Sequence, residues 1–482
     1  MVQAFDNSPL RNSGNRKVIM TNSDQPLWDW TLRRIRKIWP LGDSGKLKNV
    51  VDPELPESDV QKLRNKINAC LEARGGEMSA RSRAAELGEA YLVLSPVGRR
   101  RFLELLAREY DVDNDAIEKA IEDRRTSDEP EQNRKATSRL RRLLEPPRTQ
   151  LLRQFNELQE GVKFLVDLRS ELMGWAQETP ELKALDQDVY GLLASWFDIG
   201  FLDLQQITWK TPAALLEKLI EYEAVHAIRS WDDLKNRLGD DRCCFAFFHP
   251  RMPDEPLIFV EVALVNGIST SIHELLDENA PVGNPKKADT AIFYSISNCQ
   301  TGLAGVSFGN FLIKRVVSAL TAKLPNLKTF STLSPIPGFM KWLQNEADEL
   351  QLSERERLVL DLIKNPIPDQ PGLLEMLRSE NGTHEEEARS LFQPGLLRLG
   401  ARYLVTAKRG KQASDRVAHF HLSNGARIEQ INWAADLSEK GLQQSAGLMV
   451  NYLYKLPDIE KNHEAYSGHG EITTSSAVRK LL

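Results

Sequence analysis

The chain has 482 residues and a formal net charge of −5, from 63 Lys and Arg against 68 Asp and Glu. Its length predicts two domains, and its mild acidity argues against wholesale nucleic-acid binding. No apolar run reaches the roughly 20 residues that span a bilayer, and four cysteines are too few for a disulfide framework. We therefore expect a reducing compartment, a bacterial cytoplasm first and a mitochondrial matrix as the alternative.

The first part of the chain is predicted to be helical. Apolar residues recur at helical spacing from Glu54 to about Ser195 with almost no β-rich runs, which predicts an all-α helical bundle over residues 41–195. Residues 1–40 form an N-terminal extension, in which Leu27–Trp39 is predicted to be a helix that docks its tryptophans on the protein. A membrane-surface helix or a transit segment are the alternatives for this stretch. We expect the bundle to serve homo-oligomerisation, as a dimer or tetramer, or to act as a lid over substrate.

An α/β domain is predicted over residues 196–482, with a charged helical insertion at about 343–399. It opens with a predicted helix over Leu204–His226, followed by strands over Arg242–Phe248 and Leu257–Val265. A further strand, Ala291–Ser297, leads into the Gly-rich turn Gln300–Gly305, and a helix is expected from Asn310. A turn of this kind before a helix can bind a pyrophosphate through backbone N–H groups, although an ordinary connection has the same pattern.

Ser334 is the first candidate for chemistry in this domain. The pair Ser334–Pro335 is typical of an N-cap followed by the first residue of a helix, with Phe339, Trp342 and Leu343 forming an apolar stripe beyond it. The same hydroxyl could also hydrogen-bond a thioester held at the glycine turn. Both interpretations can hold at once.

His421 is the second candidate. The alternation in Val417–Leu422, followed by Ser-Asn-Gly and Arg427–Trp433, predicts a β-hairpin. A strand here places His419 and His421 on one face. The His-x-His pattern also suits zinc, but no third ligand stands at a sensible spacing, so no metal site is expected.

Eight strings of the sequence match one known family: Gly161–Arg169, Gly200–Leu202, Ala291–Ser297, Phe311–Val317, Leu333–Phe339, Phe420–Leu422 with Asn424–Ala426, Ile431–Trp433, and Gly447–Met449 with Asn451–Tyr452. Through these strings the chain resembles the malonyl-CoA decarboxylase family. The resemblance implies an α+β protein with an N-terminal all-α helical bundle and an α/β catalytic domain of the N-acetyltransferase-like (GNAT) fold.

The resemblance also assigns residues. It implies a catalytic pair, Ser334 and His421, and a CoA-binding segment made of Ala304, Gly305, Val306, Ser307, Phe308, Gly309 and Asn310. One position departs from the relatives, which carry an acidic residue where this chain has Ser307. Any role for a carboxylate there is therefore in doubt for this chain.

The expected reaction converts malonyl-CoA to acetyl-CoA and CO2. The thioester is its own electron sink, so no metal or organic cofactor is expected, and CoA is part of the substrate. The protein must orient the breaking bond and stabilise the enolate, for which backbone N–H groups of the turn are candidate donors. We expect His421, with a pKa near neutrality, to donate the proton, and Ser334 to orient the malonyl group. Asn432 and Tyr452 are candidate lining residues.

Two other classes remain open, since one fold hosts several chemistries. The first is a GNAT-type acyl-CoA-dependent acyltransferase, which requires an acceptor cleft and a base. The second is a non-catalytic acyl-CoA sensor.

Overall fold

The computed structural model describes residues 51–72, 77–126, 129–158, 160–306, 312–345, 351–364 and 382–482. The extension over residues 1–40, with its predicted Leu27–Trp39 helix, lies outside the described residues. No helix of the described ranges is both long and apolar enough to cross a membrane. The chain divides into two compact units, one formed by the residues up to Phe102 with Glu157–Gln159, the other by Leu103–Asn156 with Glu160–Leu482.

Helices dominate the described residues from 57 to 196. Their bounds are α1 Glu57–Leu71, α2 Glu77–Val93, α3 Pro96–Glu109, α4 Asn114–Arg125, α5 Pro130–Leu143, α6 Pro147–Asn156, α7 Gly161–Ala176 and α8 Pro180–Trp196. Prolines open several of them, because a proline at the first helical position sacrifices no intrahelical hydrogen bond. Helix α7 buries most of its length, including Phe164, Leu168 and Leu172.

A mixed sheet follows, with helices packed around it. The elements in chain order are β1 Asp203–Ile207, α9 Ala213–Tyr222, α10 Trp231–Arg237, β2 Arg242–His249, β3 Met252–Val265, α11 Ile272–Leu275, β4 Thr290–Asn298, α12 Leu312–Lys323, β5 Thr329–Thr332, β6 Ser334–Pro335, α13 Phe339–Asn345, α14 Glu354–Lys364, α15 Gly382–Thr406, β7 Lys408–Arg409, β8 Gln412–Ala413, α16 Arg416–Ser423, β9 Arg427–Asn432, α17 Glu439–Ser445, β10 Met449–Leu453, α18 Ile459–His469 and α19 Ser476–Arg479. The predicted α+β class, a helical N-terminal region followed by a mixed-sheet domain, is confirmed. The predicted domain limits stay predictions.

The sheet splits between two parallel strands. Its order is β1-β2-β3-β4-β5-β10-β6, with β9 also pairing β10. Strands β4 and β5 are parallel, and their pairing covers only Thr290–Phe293 of β4. Among the described residues, the remainder of β4, Tyr294–Asn298, therefore has no strand on that side, and this opening in the sheet positions the candidate site.

Three local predictions are wrong. Val417–Leu422 is not a strand but lies in helix α16, whose N-cap Asp415 accepts from the backbone N–H groups of Val417 and Ala418. Ser334–Pro335 does not cap a helix but forms the short strand β6 beside β10, and the next helix starts only at Phe339. The first residues of the predicted Leu204–His226 helix pair with β2 as strand β1.

Candidate active site

Ser334 and His421 meet although 87 positions separate them in the chain. The Ser334 Oγ lies 3.2 Å from the Nε2 of His421 and donates to the Oγ1 of Thr332 at 2.9 Å. Strand β6 presents the serine and helix α16 presents the histidine. Both side chains are buried, with relative exposures of 5% for Ser334 and 3% for His421. The two predicted catalytic residues therefore share one hydrogen-bonded site.

Two tyrosines surround the imidazole of His421. The hydroxyl of Tyr454 lies 2.7 Å from Nδ1, and the ring of Tyr452 stacks on the imidazole with centroids 4.5 Å apart. Burial lowers the pKa of His421 to about 3, because the apolar surroundings disfavour the charged ring. The expectation of a near-neutral pKa is therefore wrong for the site without substrate, and the imidazole is neutral at physiological pH.

The hydrogen-bond partners select one tautomer. Among the described residues the hydroxyl of Tyr454 has no other hydrogen-bond partner, so it donates to Nδ1 of His421. The proton of the neutral ring is then on Nε2, which donates a hydrogen bond to Ser334 Oγ. The Ser334 hydroxyl in turn donates a hydrogen bond to Thr332 Oγ1. The exchangeable hydrogen on the imidazole therefore faces the serine.

A cavity of about 420 Å³ opens at this pair. It lies at the split in the sheet, between the unpaired half of β4 and the segment from Ser334 to Pro337. Its walls include Phe293–Asn298, Ser334, Phe420 and His421. A group placed in this cavity would contact both Ser334 and His421.

A second cavity, of about 370 Å³, lies at the glycine turn. Ala304, Gly305 and Val306, the first three residues of the predicted CoA-binding segment, line it. It shares Ile258, Asn298 and Phe420 with the cavity at the dyad, so the two are adjacent. The rest of the predicted segment, Ser307, Phe308, Gly309 and Asn310, lies outside the described residues.

Two amides near the end of the turn are already engaged. Ala304 donates to the carbonyl of Thr301 and Val306 to that of Leu303, each at 2.9 Å. Among the described residues, the N–H of Gly305 has no acceptor, and its φ of +82° is one that glycine adopts without strain. Within this part of the turn, Gly305 is the amide available to a ligand.

Two models of protein families match the chain. The description "Malonyl-CoA decarboxylase N-terminal domain" covers residues 110–197, and "Malonyl-CoA decarboxylase C-terminal domain" covers residues 200–482. The mitochondrial malonyl-CoA decarboxylase of Anser anser anser is 38% identical over 422 residues, 84% of each chain. That of Rattus norvegicus is 39% identical over 363 residues, 72% of this chain and 73% of the relative.

Solved structures agree. The crystal structure of malonyl-CoA decarboxylase from Rhodopseudomonas palustris superposes with a TM-score of 0.78 at 43% identity, covering 87% of this chain and 99% of that one. The chain belongs to the malonyl-CoA decarboxylase family. The resemblance that its sequence strings indicated is confirmed, and members of this family are carboxy-lyases.

The two candidate lining residues occupy different places in this family member. Tyr452 packs its ring on His421, while its hydroxyl is buried without a partner in the described residues. Asn432 lies away from both cavities and donates to the Oδ1 of Asn451 at 2.6 Å. Asn451 in turn donates to the carbonyl of Thr332 at 2.6 Å, so this pair holds the strand that leads to Ser334.

The sequence analysis missed three residues at the site. Thr332 accepts from Ser334, Tyr454 bonds His421, and Arg169 donates to carbonyls of the glycine turn. The spacing of Tyr452 and Tyr454 signals two aromatic residues on one face of an extended chain, which could have identified Tyr454. Arg169 is the last residue of the matched string Gly161–Arg169 in helix α7, but nothing in the sequence indicated its contacts with the glycine turn.

Proposed function

We propose that this chain decarboxylates malonyl-CoA to acetyl-CoA and CO2, with Ser334 and His421 as the catalytic pair. The observation that carries the proposal is the 3.2 Å contact between these two side chains on the wall of a cavity beside the glycine turn. The turn would bind the nucleotide end of CoA, and the thioester would reach the dyad through the split in the sheet.

The reaction needs a defined geometry. The bond to the departing carboxylate must stand perpendicular to the thioester carbonyl plane, so that its electron pair passes to the α-carbon and the carbonyl oxygen as CO2 leaves. Apolar walls such as Phe293 and Phe420 would exclude water from the carboxylate, which favours the shift of its negative charge to the thioester enolate. No metal or organic cofactor is required by this chemistry, because the thioester accepts the electrons.

The enolate then takes a proton at its α-carbon. His421 Nε2–H is the proposed donor, with Ser334 holding the malonyl group or the carbonyl oxygen by hydrogen bond. A thioester enolate is a stronger base than imidazolate, so a neutral imidazole can serve as the acid, and the imidazolate that remains takes a proton back from solvent water. Tyr454 donates to Nδ1 and would stabilise negative charge that develops on the ring.

The decisive test is turnover of malonyl-CoA by purified protein, with acetyl-CoA and CO2 followed together. We expect stoichiometric products from the wild type, and a fall of about 100-fold or more in kcat for His421→Asn and Ser334→Ala. His419→Asn is the matched control, because His419 lies on the same helix and also bonds a tyrosine hydroxyl, that of Tyr466 at 2.9 Å, but does not line the cavity. Folded variants that retain full turnover would refute the assignment of the dyad.

The same proposal includes assembly and location. We infer a homo-oligomer, dimer or tetramer, working in a bacterial cytoplasm, with a mitochondrial matrix as the alternative. The relatives of bacterial origin at 43% and 42% identity bear on the location alone. Light scattering that shows a monomer at all protein concentrations would refute the oligomer.

A further inference from the structure

Helices α7 and α8 hold the glycine turn through one buried arginine. Arg169 on α7 is 4% exposed. Its Nη1 donates to the carbonyl oxygens of Gly302 and Ala304, at 2.7 and 2.9 Å. Its Nε donates to Asp186 on α8 at 2.9 Å. The guanidinium therefore binds two successive parts of the turn while a carboxylate fixes its orientation.

A tyrosine completes this contact. The ring of Tyr190 on α8 lies under the guanidinium, with Cζ 5.1 Å from the ring centroid. The Tyr190 hydroxyl donates to the carbonyl of Gly305 at 3.2 Å. Gly302 packs so closely on α7 that an added Cβ would overlap the carbonyl oxygen of Val166. Three carbonyl groups of the turn are thus bound by helical residues.

The direction of these carbonyls matters for an anion. Ala304 and Gly305 line the cavity at the turn, whereas Arg169 and Tyr190 do not. The carbonyl oxygens bound to these two side chains are therefore directed toward the helices. Carbonyl oxygens facing the cavity would repel a diphosphate, and a turn that points them away can offer its N–H groups instead.

We propose that Arg169, assisted by Tyr190, is a positioning residue that holds the turn in its diphosphate-binding conformation. The proposal rests on the proposed function, since it takes the anion to be the diphosphate of CoA. It gives helices α7 and α8 a part in substrate binding, in addition to the assembly role expected for the bundle.

The test compares Arg169→Lys with Arg148→Lys. Lysine keeps the charge but lacks the planar fork that reaches two carbonyls and a carboxylate together. Arg148 is a close match, because it is 2% exposed and bonds Asp188 at 2.7 Å and the carbonyl of Ala107 at 2.9 Å, but it does not contact the turn. Circular dichroism and thermal unfolding establish that both variants are folded.

We expect Arg169→Lys to raise the Kd for CoA, measured by calorimetry, and the KM for malonyl-CoA by about tenfold, as for loss of one hydrogen bond to a charged group. The kcat should stay within about twofold of wild type, because the turn lies apart from the dyad. Turnover of S-malonyl-pantetheine, which lacks the diphosphate, should have an unchanged kcat/KM. Arg148→Lys should leave all of these values unchanged.

Several results would overturn the proposal. These are an unchanged Kd for CoA in folded Arg169→Lys, an equal loss with S-malonyl-pantetheine, or an equal loss in Arg148→Lys. If Arg169→Lys does not fold, the variant Tyr190→Phe provides the test. It should raise the Kd for CoA about threefold, and an unchanged Kd would refute the positioning role of Arg169 and Tyr190. A wild type that binds CoA but makes no acetyl-CoA would refute the proposed function. The Kd for CoA of Arg169→Lys against that of the wild type would still test the positioning role of Arg169.

Discussion

At the scale of single residues, the site depends on burial. His421 sits between Tyr452 and Tyr454 with almost no exposure, and its neutral state follows from that environment. The two tyrosines differ in a useful way: the hydroxyl of Tyr454 bonds the imidazole, while that of Tyr452 has no partner in the described residues. One supplies a polar contact and the other a stacking surface.

Tyr454→Phe should therefore lower kcat by about tenfold, because the imidazole loses the donor that selects its tautomer. Tyr452→Phe should stay near the wild-type kcat, since the ring that stacks on His421 remains. Steady-state kinetics on both variants checks this. Equal kcat values for the two would show that the Tyr454 hydroxyl has no part in orienting the ring.

The pH dependence of stability should also report His421. Its pKa in the folded protein lies at about 3, below the ordinary value of 6.5, so folding favours the neutral ring. The resulting stabilisation is complete above about pH 6.5 and is lost as the pH falls toward 3.

Between pH 7 and pH 5 the wild type should lose about 2 kcal/mol more unfolding free energy than His421→Asn, from the proton linkage of this one group. Urea unfolding at both pH values measures the difference, in which the other histidines cancel. The same loss in both proteins would indicate that His421 has an ordinary pKa.

At the scale of elements, Asp415 connects the two halves of the dyad. Its Oδ1 caps helix α16 through the N–H groups of Val417 and Ala418, and its Oδ2 accepts from the N–H of Gly338 at 3.2 Å. Gly338 follows the strand that carries Ser334. One carboxylate thus contacts both the helix that carries His421 and the segment that follows Ser334 in the chain.

Asp415→Ala should cost about 1 to 2 kcal/mol of stability and lower kcat, because both dyad elements lose a shared anchor. Asp113→Ala is the control: Asp113 caps α4 through the N–H of Ala116 at 3.0 Å, at an exposed position. It should cost less stability and leave kcat unchanged. Thermal unfolding and kinetics on both variants provide the comparison, and an unaltered kcat in folded Asp415→Ala would contradict the anchoring role.

At the scale of the whole molecule, helix α7 packs on the glycine turn of the sheet domain. The contact depends on a glycine, since any side chain at residue 302 would overlap the backbone of Val166. The helical region therefore shapes the glycine turn, which its sequence alone did not indicate.

Gly302→Ala should destabilise the protein by roughly 1 to 3 kcal/mol through overpacking and raise the KM for malonyl-CoA. Gly174→Ala serves as the control. Gly174 lies in helix α7, and a Cβ added there would meet no atom within 4 Å. That change should be neutral or stabilise the helix by up to about 1 kcal/mol. Equal midpoints of urea unfolding for the two variants would refute the tight packing at Gly302.

The sequence by itself determined the family, the α+β class, strand β4 and the glycine turn, because long strings and extended apolar patterns depend little on distant contacts. It also predicted Ser334 and His421 as a pair, and the structure places their side chains in contact. The six-residue alternation around His421 fits either period, and a local signal, the N-cap Asp415, favours the helix that the structure shows. Only the tertiary structure decided that Ser334 joins a strand, because β10 pairs with it, and edge strand β6 tolerates Pro335. Burial lowers the pKa of His421, and long-range packing brings Arg169 into hydrogen-bond contact with Gly302, 133 positions away. No local sequence pattern encodes either of these effects.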